Sequence, residues 1–448
     1  MNTPASRLLL ATLALSAYPA RADTPPLRFD FGPGTIAPGC VGIGPDTLYS
    51  ATRGYGLISG EGVSASTASS ASAALDALRA DALTGTRPFS FAIDLPEGNY
   101  DVILQLGDRA AGADTTVKAE TRRLLLESLP TAAGTVQTRT FTVNVRTPDL
   151  PGGRRVILKE RERGVAHWDQ RLTLEFNGPR PAVAGLEIRR NDAALTVFLA
   201  GDSTVTDQPG EPWAGWGQML PRFFPAGVAV ANHAESGLSL ASFRGSGRLE
   251  KILSLLKPGD YVLIQFGHND MKEKGDGVGP FTSYAADLRG YAEAIRAKGG
   301  EPVFITSMYR RRFEKGALVD TLGDYPVAVR QIAQEQQIPL IDLHAMSRRL
   351  FTALGPDQSK QAFVHFPAGA YPGQAKEVKD DTHFSSYGAY ALARCVVEGI
   401  RAEIPSLAAR LAPGIPGFNP DFPVPPAEFT LPASPPADEV RIPEGDGR

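Results

Sequence analysis

Cysteine is nearly absent from this sequence: Cys40 and Cys395 are the only two in 448 residues. They form no Cys-x-x-Cys pair, so a structural zinc site has no support, and neither a metal nor another cofactor is expected. They also fall in what read as different domains, so two separate thiols are expected rather than a disulfide. Charge of one sign is missing too. With 46 Lys and Arg against 49 Asp and Glu, the formal net charge is −3. That gives no electrostatic case for nucleic acid, whose partners usually carry a basic excess. No apolar segment after the N-terminus is long enough to span a bilayer, so a membrane is not an expected partner either. Oligomeric state stays open.

What is present describes a soluble globular protein: 42% hydrophobic and 21% charged residues. The length exceeds one ordinary core, so two domains are the natural expectation. At the N-terminus, Arg7 precedes the apolar stretch Leu8 to Ala17, and Ala20-Arg21-Ala22 fits a small-x-small cleavage site. Charged start, short apolar centre and small-residue exit describe a secretory signal over 1–22, with cleavage after Ala22 and a secreted or periplasmic destination.

From residue 23 to about 190 the pattern is mostly β. Phe89, Phe91, Ile93 and Leu95 alternate with smaller or polar residues, Pro96-Glu97-Gly98-Asn99 turns the chain, and Tyr100 to Leu106 follows. This reads as a hairpin. Phe141 to Val145, Val156 to Lys159, and Leu172 to Phe176 add strands, and short strands between turns favour an antiparallel sandwich. Ala65 to Ala80 reads as a helix or a mobile insertion. Gly178-Pro179-Arg180-Pro181 reads as a turn or linker, with Val183 to Ile188 available as one last sandwich strand.

Over 191–405 the rhythm changes to strand, helix, strand. Candidate strands are Leu195 to Ala200, Val228 to Asn232, Tyr261 to Phe266, Pro302 to Met308 and Pro339 to Leu343. Leu249, Ile252, Leu253 and Leu256 share one helical face, as do Tyr284, Leu288, Tyr291, Ala292 and Ile295. Val327 to Gln336 and Tyr387 to Ile400 also read as helices. Alternation of this kind implies an α/β domain, a parallel sheet covered on both faces. Residues 406–448 are Pro-rich and weakly patterned, and read as an extended tail, packed on the surface or disordered.

In such a sheet, reactive groups gather beyond the carboxyl ends of the strands. Ser203, in Gly201-Asp202-Ser203-Thr204, follows the first strand. Gly237 follows the second, and Gly267-His268-Asn269-Asp270 the third. Asp380-Asp381-Thr382-His383 comes from a late loop before the last helix. Ser203 needs a base to act as nucleophile, and His383 is the candidate. Asp380 could accept from the other ring nitrogen and fix the tautomer, with Asp381 as competing neighbour; spacing alone leaves that choice open. The backbone N–H groups of Ser203 and Gly237 and the amide of Asn269 could hold an oxyanion. Each block alone is a turn, a cap or a chance match. Their joint occurrence in order points to a serine esterase. His233 and His344 read as packing or loop residues, and His268 is given no role.

These four blocks resemble those of the SGNH, or GDSL-like, hydrolases. Thr204 and the run Asp381-Thr382-His383-Phe384-Ser385 resemble the rhamnogalacturonan acetylesterases within that superfamily. The resemblance covers about Leu195 to Ile400. It implies a flavodoxin-like three-layer domain, a metal-free site, Ser203 as nucleophile, Ser203, Gly237 and Asn269 in the oxyanion hole, and Asp380 rather than Asp381 in the triad. Phe29-Asp30-Phe31-Gly32 and Tyr55-Gly56 resemble the opening of the β-sandwich, galactose-binding-like module that precedes some of these esterases.

Two further features bear on substrate. Tyr309-Arg310-Arg311-Arg312 follows the fourth strand, and Arg310 and Arg311 could hold the carboxylates of a polysaccharide such as pectin, or form a solvated surface cluster with Glu314. Trp213 and Trp216 could stack on a sugar or belong to the core. The expectation is an exported esterase that removes O-acetyl groups from a plant polysaccharide, with pectic rhamnogalacturonan favoured. The alternatives are an acetylxylan or general short-chain esterase, and a carbohydrate-binding protein without activity.

Overall fold

The computed structural model describes residues 25–67, 77–371, 373–437 and 439. The expected signal at 1–22 and most of the Ala65 to Ala80 insertion lie outside the described residues. Of the latter, Val63–Thr67 is a strand and Ala77–Arg79 a single 3-10 turn.

Period-two burial builds the first domain as a sandwich of two sheets. One sheet runs Thr135–Val145, Gly98–Asp108, Ala182–Arg190, Leu27–Phe31, Val41–Ile43, with Asp81–Gly85 and Val63–Thr67 added at Ala182–Arg190. The other runs Pro130–Thr131, Ala113–Ala119, Arg171–Arg180, Phe89–Asp94, Tyr55–Leu57, with Arg123–Leu126 beside Ala113–Ala119. Phe89, Phe91 and Ile93 from one sheet meet Val102, Leu104 and Leu106 from the other in a single buried core. Pairing is antiparallel apart from Leu27–Phe31 with Val41–Ile43.

Three sequence expectations are corrected here. Phe89–Asp94 and Gly98–Asp108 are consecutive but do not pair as a hairpin: the first bonds to Arg171–Arg180, the second to Thr135–Val145. The turn at Pro96 to Asn99 carries the chain from one sheet to the other, so both strands point alternate side chains into the same core. Val156 to Lys159 is extended but joins neither sheet. The Ile157 N–H donates to the Ser246 carbonyl of the second domain at 2.9 Å, drawing this segment out of the sandwich. Likewise, Gly178 to Pro181 is no linker: Arg171–Arg180 and Ala182–Arg190 are successive strands in opposite sheets.

The second domain holds a five-stranded parallel sheet in the order Val228–Asn232, Leu195–Gly201, Tyr261–Gln265, Glu301–Ile305, Leu340–Ile341. Its strands are buried on both faces, as a sheet covered by helices requires. Val197 and Leu199 face the core formed with Ser386–Glu403. Phe198 and Ala200 face the opposite core, against Tyr284, Leu288, Tyr291, Ala292 and Ile295 of Ser283–Arg296. Among the described residues no helix is long and apolar enough to cross a membrane. Cys40 and Cys395 lie in different domains and form no disulfide.

The domains are locked together through charge. The Glu162 carboxylate takes two bonds from the Arg248 guanidinium, at 2.7 and 2.5 Å, with both side chains buried. Lys251 Nζ is 2.7 Å from Glu97. Arg123 pairs with Asp207 at 2.6 Å, and Asn232 donates to the other Asp207 oxygen at 2.8 Å. Residues 409–437 run as a strap over both domains. Arg349 holds Asp421, Tyr387 donates to the Val424 carbonyl, and Lys118 donates to the Pro432 carbonyl at 2.7 Å.

Candidate active site

The strand Leu195–Gly201 ends in a turn whose geometry is set by Asp202. One oxygen of its fully buried carboxylate accepts from the Thr204 backbone N–H at 2.9 Å and the Thr204 hydroxyl at 2.7 Å. This self-bonded turn lifts Ser203 above the sheet edge. Gln208 then ties two loops together: its amide donates to the Ser203 carbonyl at 2.8 Å and to the Ser236 hydroxyl at 3.3 Å.

Asp380 and His383 reach the same place from a bulged strand rather than from a free loop. Val378–Phe384 pairs antiparallel with Phe363–Phe366, but Phe363 opposes Phe384 while its neighbour Val364 opposes Asp380. Asp381, Thr382 and His383 are therefore extra residues, and a bulge of this kind re-aims a side chain. The His383 ring bridges the site: Nε2 lies 2.9 Å from Ser203 Oγ and Nδ1 lies 2.7 Å from Asp380 Oδ2. The other Asp380 oxygen accepts the backbone N–H groups of Thr382 and His383, at 2.8 and 3.0 Å. Burial alone would raise the Asp380 pKa; the His383 ring and these backbone donors outweigh it and hold the carboxyl well below its usual range.

Asp381, one residue away, is engaged elsewhere. It accepts from Arg311 at 2.8 Å and contacts His365 at 2.7 Å. Of the two carboxylates that spacing left open, Asp380 is the one whose oxygen meets the His383 ring.

Ser203 and His383 open into a cleft whose lining includes Gly237, Asn269, His268, Met271, Lys272 and Arg310. Asn269 is oriented by two bonds: its Nδ2 donates to the Leu238 carbonyl at 3.1 Å and its Oδ1 accepts from Lys272 at 3.0 Å. Gly237 is left-handed, at φ +78°, a conformation that favours glycine. His268 sits fully buried beneath the cleft with Nε2 on the Met308 carbonyl at 3.0 Å, and burial pushes its pKa down to about 4. Such a ring is neutral at ordinary pH. His344 bonds the Ser307 carbonyl and Asp320, and His233 is buried against Phe198 and Trp168; neither reaches the cleft lining.

The aromatic and basic residues proposed for substrate divide sharply. Arg310 lines the cleft. Arg311 does not: its guanidinium is committed to Asp381, Ser359 and the Pro356 carbonyl. Trp216 is fully buried and donates to Gln265 at 2.7 Å, so it is core. Trp213 is half-buried and outside the cleft lining, on the loop held by Arg122 through its carbonyl. Arg311 and Trp216 are thus engaged by partners distant in sequence, Asp381 and Gln265, which local pattern does not reveal.

Sequence reasoning missed the opposite wall. Lys159 and Arg161, from the first domain's irregular segment, line the cleft beside Ser236 and Gly237. Nothing in their local pattern marks them, because their place depends on domain docking. Lys272, three residues after Asn269, had a nearer signal in the third block. Among the described residues no group of three or more His, Cys, Asp or Glu side chains is placed to hold a metal ion.

Comparison with known proteins agrees with this architecture. Residues 199–389 match the GDSL-like Lipase/Acylhydrolase family, and 27–150 match the galactose-binding domain-like module of β-agarase/YXIM-type esterases. The rhamnogalacturonan acetylesterase RhgT of Bacillus subtilis (strain 168) is 46% identical over 209 residues, 46% of this chain and 89% of that protein. The chain belongs to the GDSL-like family. It is accordingly an esterase or acylhydrolase, with a galactose-binding-like β domain ahead of the SGNH α/β domain. Two further relatives also come from Bacillus subtilis (strain 168). YesY, a probable rhamnogalacturonan acetylesterase, is 35% identical over 46% of this chain and 92% of its own. YxiM, an uncharacterized esterase, is 28% identical over 84% of this chain and 91% of its own, a span that takes in both domains.

Proposed function

We propose that the protein removes O-acetyl groups from an acidic plant cell-wall polysaccharide of the rhamnogalacturonan type, with Ser203 as nucleophile. The observation that carries the mechanism is the continuous line from Ser203 Oγ through the His383 ring to Asp380. His383 Nε2 takes the hydroxyl proton as Oγ adds to the acetyl carbonyl. The oxyanion that forms is met by the backbone N–H groups of Ser203 and Gly237 and by the Asn269 amide. Collapse breaks the bond between the acetyl carbon and the sugar oxygen, and His383 gives its proton to that leaving oxygen. Water, deprotonated by the same nitrogen, then attacks the acetyl-serine, and acetate is released as His383 passes that proton back to Ser203 Oγ. Asp380 holds the ring tautomer and stabilises the imidazolium throughout.

Support for an acidic substrate comes from the cleft lining. Lys159, Arg161, Lys272 and Arg310 line it, and no Asp or Glu is among the lining residues. Of these, Lys272 and Arg310 are the cationic donors that suit the carboxylates of galacturonate units. The similarity to RhgT supports the same choice. Export is part of this proposal and rests on the charged, apolar and small-residue pattern of 1–22.

Acetate release from acetylated rhamnogalacturonan and from acetylated xylan, by wild type and by Ser203→Ala, tests the proposal. The expected result is faster release from the acidic polymer and a loss of about 10⁴-fold or more in the variant. Faster release from xylan would overturn the substrate class. Equal rates for the two proteins would overturn the serine mechanism.

A further inference from the structure

Lys159 and Arg161 converge on one atom. Lys159 Nζ donates to the Ser236 carbonyl oxygen at 2.5 Å, and an Arg161 guanidinium nitrogen donates to the same oxygen. That carbonyl belongs to the peptide unit whose other end is the Gly237 N–H. The two cations therefore grip the carbonyl side of the peptide whose nitrogen belongs to Gly237, a residue of the cleft lining. Arg161 is itself anchored by Glu235 at 2.6 Å, and Glu162, the residue after Arg161, is held by Arg248 and accepts from the Lys159 backbone N–H at 2.9 Å. The ammonium also sits close against Gly237: a Cβ built there would meet Lys159 Nζ at 3.3 Å.

We propose that Lys159 and Arg161 of the β domain are positioning residues for the esterase reaction, clamping the Ser236 carbonyl so that the Gly237 N–H is aimed and polarised toward the oxyanion. A peptide is a single conjugated unit, so positive charge at its oxygen draws electron density from its nitrogen and strengthens the N–H as a donor. The clamp also fixes the plane of a peptide beside a left-handed glycine, where the backbone is most free to turn. Both effects grow as negative charge develops on the substrate oxygen, which is what an interaction must do to raise kcat rather than lower KM. The β domain is on this view part of the catalytic apparatus and not only a module beside it. The inference rests on the reading of Ser203 and Gly237 given above.

The test uses the full chain and a neutral aryl acetate, which has no carboxylate for a cation to bind. Lys159→Met and Arg161→Met are expected to lower kcat about 10-fold each with KM little changed, short of the 10²- to 10³-fold cost of losing a whole donor. Lys159→Arg, which keeps charge and donors, restores most of the rate. Methylboronic acid, which forms an anionic tetrahedral adduct on a catalytic serine, is expected to lose affinity by the same factor as kcat/KM. Lys251→Met, which breaks an interdomain ion pair outside the cleft lining, keeps kcat. Unchanged kcat in both cation variants overturns the clamp. So does a loss confined to KM on the acidic polysaccharide, which would make the two cations substrate ligands. An equal fall in Lys251→Met overturns it as well, by assigning the effect to docking. Absence of wild-type turnover would overturn the serine reading and the clamp together, whereas turnover that the cation variants match removes the clamp alone.

Discussion

The two walls of the cleft are made in different ways. One wall is built from ends of regular elements: Ser203 after a parallel strand, Asn269 after another, His383 on a bulged strand before a helix. The other is built by the β domain's irregular segment, whose Lys159 and Arg161 reach the cleft because Glu162, Trp168 and Leu150 pack that segment onto its neighbour. The first wall carries the groups proposed to make and break bonds. The second carries the charge proposed to set how well they do so. Local sequence pattern specifies the first, and tertiary docking the second.

The largest expected effect within this comparison separates two adjacent carboxylates. Asp380→Asn, which deprives the His383 ring of its acceptor, is expected to lower kcat by about 10³- to 10⁴-fold. Asp381→Asn, which loses only partly exposed contacts to Arg311 and His365, is expected to change kcat by less than about 3-fold. Steady-state rates on an aryl acetate decide it, and equal losses would mean that both act on the ring.

Next comes the joint between the walls. Glu162→Gln leaves the buried Arg248 charge without its partner, a situation that typically costs about 3–5 kcal/mol. Thermal unfolding of the variant is expected to begin well below that of wild type. Unchanged unfolding would show that the β domain is held mainly by other contacts, the Arg123–Asp207 pair among them.

The last effect is a pH dependence. Asp270, beside Asn269, is pushed up by burial to about 7, against the backbone N–H of Leu240. Its folded pKa lies above its unfolded value of 3.8. Between these values the folded protein holds a proton that unfolding releases, so this group's contribution to stability falls as pH rises from about 4 to about 7. Asp270→Asn should flatten that slope in the unfolding midpoint. A slope that persists unaltered would place the titration on another group.

Much of the α/β domain was legible because each signal is local. The alternation of Val197 and Leu199 with Phe198 and Ala200 is a doubly covered strand, and the faces of Leu288, Tyr291 and Ile295 form a helix stripe that packs as patterned. The blocks that bring Ser203, His383 and Asp380 together were legible for the same reason, since each short block sits at the end of an element. The β domain was legible in class but not in pairing. Alternation at Phe89 to Leu95 and Tyr100 to Leu106 is the same for a hairpin as for two strands facing each other across a sandwich, and only the core decides between them. Arg310 and Arg311 differ by one residue and by every partner they bind, because side-chain direction on a turn is set by neighbours such as Asp381 that are distant in sequence. Lys159 and Arg161 had no local signal at all.

The most direct test of the central claim is rapid-quench mass spectrometry of the full chain during turnover of an aryl acetate. The account predicts one acetyl group on the peptide that carries Ser203, appearing within the first turnover, accumulating in variants slowed in deacylation and absent from Ser203→Ala. Sustained turnover by Ser203→Ala, or wild-type turnover in which the acetyl group is found on a different residue, would contradict it.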